Sequence, residues 1–190
     1  MATEPTRDRI VAAATAEFAE HGIAGARVER IADTARTSKE RVYAYFRGKG
    51  ELYRFVVARE LAAMGEAVPL DAADLPGYAV RVHDHLVAHP ERLRLMRWGE
   101  LEPTATQDPD DPYRALITGK VEQIRAAQEA GVLNQDWDPW DVLVFVSQLA
   151  TAWAGQAGTF TAKKQRDAFL AARRAAIETA VQRLFPRTSA

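Results

Sequence analysis

The chain has 190 residues, with 25 lysines and arginines against 26 acids, 47% hydrophobic and 27% charged residues, and no cysteine. That size suits one or two small domains of ordinary globular composition, and zero cysteine excludes a disulfide framework, a thiolate metal site and a cysteine nucleophile. No run approaches roughly 18 apolar residues, and residues 1–9 carry Glu4 and Asp8 with no apolar core. Neither a membrane span nor a secretory signal is therefore expected, and the cytoplasm is the expected location.

The periodicity is helical throughout, without alternating β-branched runs or Asn-Gly and Asp-Gly hairpin turns. An all-α fold of about nine helices is expected. The first helix starts near Thr6 with Ile10, Ala14 and Phe18 on one stripe, and Gly22 fits a left-handed stop. Residues 28–35 place Val28, Ile31, Ala32 and Ala35 on one face. After only Arg36 and Thr37, a second short helix begins at Ser38, a good N-cap, and runs to about Tyr45. Gly48 and Gly50 then interrupt, and a longer pattern carries Leu52, Phe55, Val56 and Leu61. Residues 65–75 read as a loop and 76–89 as a helix; Pro90 opens the next helix at the favoured first-turn position. Residues 100–111 hold five acids, no base, and Pro103 and Pro109, the composition of a solvated loop. An amphipathic helix over 112–130 ends at Gly131. Residues 140–154 are apolar around nearly the whole circumference, from Val142 to Trp153. Such a helix is buried on all sides, and in so small a chain a partner subunit most easily covers the second side. The last helix, 163–185, carries Leu170, Ile177, Val181 and Leu184, with alanines that permit close approach.

The two short helices around Arg36 and Thr37 have the layout of a helix-turn-helix, in which one helix props a second whose exposed face enters the DNA major groove. The charges agree. Residues 36–49 carry Arg36, Lys39, Arg41, Arg47 and Lys49 against Glu40 alone. A local basic face on a neutral chain is what phosphate binding needs, although most charge runs are simply solvated.

The segments Phe18-Ala19-Glu20-His21-Gly22, Ile31-Ala32-Asp33-Thr34-Ala35, Thr37-Ser38-Lys39, Val42-Tyr43-Ala44-Tyr45-Phe46 and Lys49-Gly50-Glu51-Leu52 resemble the DNA-binding domain of tetracycline-repressor-like (TetR) transcription regulators over residues 6–58. The resemblance implies a helix-turn-helix domain in 1–50 and an effector-binding and dimerisation domain in 51–190. It also implies a homodimer on a palindromic double-stranded DNA operator, acting usually as a repressor released by a small molecule. Thr37, Ser38, Lys39, Glu40 and Arg41 open the recognition helix, whose N-terminal end faces bases and phosphates. Arg41 is the candidate for reading guanine; Lys39 could read a base or hold a phosphate. Tyr43 and Lys49 stand where the family usually meets phosphates, and Tyr45 faces either phosphate or core. The chain departs from the family pattern at four positions. Arg36 replaces a turn glycine and Arg27 a capping Thr or Ser, which loses a cap and offers a phosphate contact. Glu40 brings a carboxylate that either accepts from a cytosine or pairs with a base such as Arg36. Ala44 replaces a frequent histidine.

An effector pocket is expected inside the later helices, lined by apolar and aromatic residues with a few polar ones. The candidates are His83, Met96, Trp98, Tyr113, Phe145, Gln148 and Trp153, each with core packing as its plainer role. Gln148 stands out because a buried amide needs partners. His85 and His89 are four apart, but no third ligand is identifiable, so neither a metal nor another cofactor is expected. HExxH, GxSxG, a Walker glycine loop and GxGxxG are all missing, which leaves an enzyme without a motif. The alternative to a DNA-binding regulator is a helical adaptor that binds protein only.

Overall fold

A computed structural model of the chain describes residues 5–101, 112–159 and 161–186, without the side chains of 100, 112, 113, 157 and 158. The acidic loop expected at 100–111 lies almost wholly outside the described residues. Among them the regular structure is nine α-helices and two short 3-10 turns. The helices are α1 (Thr6–Gly25), α2 (Val28–Thr34), α3 (Lys39–Tyr45), α4 (Lys49–Ala67), α5 (Leu75–Ala88), α6 (Pro90–Leu101), α7 (Pro112–Glu129), α8 (Pro139–Thr151) and α9 (Lys163–Leu184). The main departure from the sequence reading is α4. It runs on to Ala67, through a stretch read as loop, because Met64 and Val68 are buried and anchor its last turn.

The contacts divide the chain into two compact units. The first holds α1, α2, α3, α4 as far as Leu61, and α6 from Glu91; the second holds Ala62–Pro90, α7, α8 and α9. In the first unit, Ile10, Ala14, Phe18, Ile31, Val42, Phe46, Leu52, Tyr53, Val56 and Leu95 form one core. Phe18 meets Tyr53 edge-to-face at 5.2 Å, and the Tyr53 hydroxyl donates to the Leu95 carbonyl (3.0 Å). α6 therefore joins this core through both packing and a buried hydrogen bond.

Gly22 breaks α1 with φ 66° and ψ −175°. A Cβ there would lie 2.8 Å from two ring carbons of Trp98, so the indole packs directly on the bare glycine. The stop read from the sequence also serves as a seat for α6.

In the second unit, Leu75, Tyr78, Ala79, Val82 and Leu86 of α5 are buried together with Val121, Ile124, Val142, Leu143, Val146, Ala150, Ile177 and Val181 of α7, α8 and α9. α8 is not buried on all sides within one chain. Trp140, Val144 and Phe145 are 47%, 48% and 41% exposed. On α9, Ala168, Ala171, Ala172, Ala175 and Ala176 are also exposed and spaced as one helical stripe.

Candidate nucleic-acid interface and effector region

α3 has two distinct sides. Val42 and Phe46 sink into the core, at 1% and 3% exposure, and fix the helix. Lys39, Glu40, Arg41, Tyr43 and Tyr45 are exposed, and Tyr45 is thereby removed from the core. Ser38 caps the helix as its sequence position demands, accepting from the Arg41 backbone N–H at 3.2 Å. Glu40 makes no ion pair with Arg36; its own backbone N–H, then the Ser38 hydroxyl, hold its carboxyl below the usual range. The Arg41 guanidinium lies 5.8 Å from the Tyr45 ring centre and the Lys39 ammonium 6.0 Å from that of Tyr43, so each cation rests near an aromatic face.

Lys39 also pairs with Glu29 of α2, and the hydrogen bond between them raises the lysine and lowers the carboxylate. Both groups are exposed, so solvent screens the pair and it leaves Lys39 available to a phosphate or a base. Lys49 is more committed. Its ammonium donates to the carbonyls of Ala24 (3.2 Å) and Ala26 (3.1 Å), bracing the α1–α2 connection. Arg27 is exposed at the α2 N-cap, with no side-chain cap of its own. Thr37, between Arg36 and Ser38, is half-buried. The result is a helix held from behind with cations, hydroxyls and aromatic rings in front, the layout by which a helix enters a major groove.

The comparisons with known proteins agree. Residues 10–56 match the model of bacterial regulatory proteins of the tetR family, and residues 74–183 match that of the tetracyclin repressor-like C-terminal domain. The chain belongs to the TetR family. It is 41% identical over 152 residues to the HTH-type transcriptional repressor SCO4008 of Streptomyces coelicolor, covering 80% of this chain and 79% of that protein. Similarity to the HTH-type transcriptional repressor NicS of Pseudomonas putida is 31% over 134 residues, 66% of this chain and 63% of NicS. Among solved structures, that of SCO4942 from Streptomyces coelicolor superposes with a TM-score of 0.79 at 53% identity, over 96% of this chain and 99% of that one. FadR of Bacillus subtilis, solved with stearoyl-CoA, shares the fold at a TM-score of 0.68 and 15% identity, over 92% of this chain and 97% of that one. The protein is thus a TetR-family DNA-binding transcriptional regulator. Among the described residues no helix is long and apolar enough to cross a membrane.

The TetR-family effector candidates do not converge as the sequence reading supposed. Met96 and Trp98 belong to the first unit, where Trp98 is engaged by Gly22, because α6 packs with the head helices. Gln148 is exposed, so it is not a buried amide in want of partners. Phe145 stands on the outer face of α8, edge-on to Trp137 at 5.6 Å. The Tyr113 side chain lies outside what the structure describes. His83 and Trp153 remain within the second unit. His83 is fully buried, with Nδ1 3.0 Å from the Ala150 carbonyl and Nε2 without a partner. Trp153 packs edge-on to Phe169 (6.2 Å) and beneath the Arg173 guanidinium (4.8 Å), whose Nε is also buried and unpartnered. Asp84 and Arg174, the next residues after His83 and Arg173, pair at 3.1 Å and join α5 to α9 at that level. The His85 and His89 rings lie 4.6 Å apart, tilted by 44°, and among the described residues no group of three or more potential ligands could hold a metal.

The sequence reading missed two residues. Arg173 lacked any signal short of the fold. Glu17 supplies what Arg27 lacks: its Oε1 accepts from the Arg27 backbone N–H (2.8 Å) and from Arg30 Nε (2.8 Å). Arg30 donates onward to the Gly25 carbonyl (2.9 Å). Burial pushes the Glu17 carboxyl up, but the Arg30 hydrogen bonds, the Arg27 N–H and the nearby positive charges together outweigh it and leave the carboxyl lowered.

Proposed function

We propose that this regulator is a homodimeric repressor whose two α3 helices occupy successive major grooves of a palindromic operator and which releases DNA when a small apolar or aromatic effector enters its second unit. DNA binding is assigned to residues 1–50 and effector binding with dimerisation to 51–190. The observation that carries the reading is the two-sided α3: Val42 and Phe46 anchored, Lys39, Arg41, Tyr43 and Tyr45 outward. Arg41 reads a base and Lys39 a base or phosphate; Arg27, Thr37, Ser38, Tyr43, Tyr45 and the remaining N–H of Lys49 meet the backbone, and Glu40 accepts from a cytosine. The dimer forms through α8 and α9, because Trp140 and Val144 of the one and the alanine stripe of the other are apolar and exposed in a single chain. In that dimer the recognition helices stand about 34–36 Å apart. The effector is held near His83, Trp153 and Arg173, since buried nitrogens without partners are rare and a ligand supplies partners. Bacillus subtilis FadR, of the same fold, was solved with stearoyl-CoA, whose long acyl chain is apolar, which supports an apolar element in the effector.

The test is a mobility shift with duplexes enriched by the protein from a random library, with and without nonspecific competitor. Competitor-resistant binding by a dimer supports the proposal. A protein that enriches no duplex while retaining its helical spectrum would favour the adaptor reading.

A further inference from the structure

The corner between α2 and α3 closes through two backbone bonds, Arg36 N–H to Asp33 O (3.1 Å) and Thr37 N–H to Ala32 O (3.0 Å). This pattern needs a left-handed residue at the corner, and glycine or asparagine is its usual occupant. Arg36 fills it at φ 52°, the only non-glycine residue with a positive φ among the described residues. A side chain in that region bears a steric cost that glycine avoids. The Arg36 side chain is exposed and makes no hydrogen bond or ion pair among the described residues, whereas Lys39 and Lys49 of the same segment are both engaged.

We infer that Arg36 is a DNA-phosphate contact, and that the strained corner persists because a guanidinium there reaches the sugar–phosphate backbone beside the groove that α3 enters. The inference rests on the DNA-binding reading above. The turn leads directly into the end of α3 that points at DNA in this motif, and a planar guanidinium suits two phosphate oxygens at once. Strain at an exposed position whose side chain has no structural partner is the pattern expected where function holds a residue against its backbone preference.

The inference predicts two effects of opposite sign from one substitution. Arg36→Gly relieves the corner and raises the melting temperature by about 2–4 °C. The same variant binds DNA more weakly. One phosphate contact accounts for about 0.9 of the slope of log affinity against log salt, so a dimer loses close to two units, and roughly eightfold in affinity per protomer near 0.1 M salt. Arg36→Lys keeps the charge and the strain, so it retains most of the slope and gains no stability. The probe is a duplex enriched by the wild-type protein from a random library, followed by fluorescence anisotropy across a salt series, beside thermal melts of all three proteins. An unchanged slope and affinity in Arg36→Gly overturns the inference alone. So does a melting temperature that fails to rise, because arginine would then serve the fold. A wild-type protein that enriches no duplex overturns the DNA-binding reading itself, and this inference with it.

Discussion

Replacing Glu17 with alanine probes the joint that sets α2 against α1. The carboxylate is 10% exposed; it accepts the Arg27 backbone N–H and both Nε and Nη2 of Arg30. A hydrogen bond to a charged group contributes about 1.5–3 kcal/mol. Arg30 is 40% exposed, so solvent screens its share and the backbone bond carries the expected loss. The backbone bond keeps its full contribution, comparable to loss of an N-cap at about 0.5–2 kcal/mol. The variant should therefore lose about 0.5–2 kcal/mol out of a typical 5–15 kcal/mol. Urea unfolding followed by circular dichroism reads this directly, and a loss below about 0.5 kcal/mol would refute the reasoning, since that is the size expected of a surface change that removes no cap. The pH dependence supplies a sign. The folded carboxyl lies below its ordinary value, so its contribution is complete at neutral pH and disappears as pH falls through the lowered folded value. The stability gap between wild type and Glu17→Gln should therefore be steady near neutrality and close on acidification.

Gly22→Ala meets both a backbone conformation reserved for glycine, costing about 1–3 kcal/mol, and the Trp98 ring at 2.8 Å. Its melting temperature should drop by at least about 4 °C, with altered tryptophan fluorescence; an unshifted melt contradicts the seat described for α6. Val144→Glu places a charge on the exposed face of α8, and light scattering should report monomers with an unchanged helical spectrum; a persistent dimer would move the interface elsewhere. Arg41→Ala should cost about 1–3 kcal/mol on a selected duplex and much less on random DNA, flattening the preference between them. Equal losses on both duplexes would make Arg41 a phosphate contact instead.

The helices and the basic corner were legible because they are local. The 3.6-residue period marks Ile10, Ala14 and Phe18, and Ser38 announces the start of α3 by its chemistry alone. Arg27 announced a missing cap equally plainly, but its replacement comes from Glu17, ten residues earlier on another helix. Gly22 could be read as a stop, yet its partner Trp98 is brought by α6 from far along the chain. The effector residues suffered most. An aromatic or amide on an apolar helix does not declare which side faces outward, and α8 turns Phe145 and Gln148 to the surface while His83 of α5 is the residue left fully buried with an unpartnered nitrogen.

The account stands on α3 meeting DNA as one half of a symmetric pair. Its most direct measurement is the stoichiometry and salt dependence of binding to a self-selected palindromic duplex. Two protomers per duplex, with affinity falling steeply as salt rises, is the predicted result. A single protomer per duplex, or affinity indifferent to salt, would contradict it.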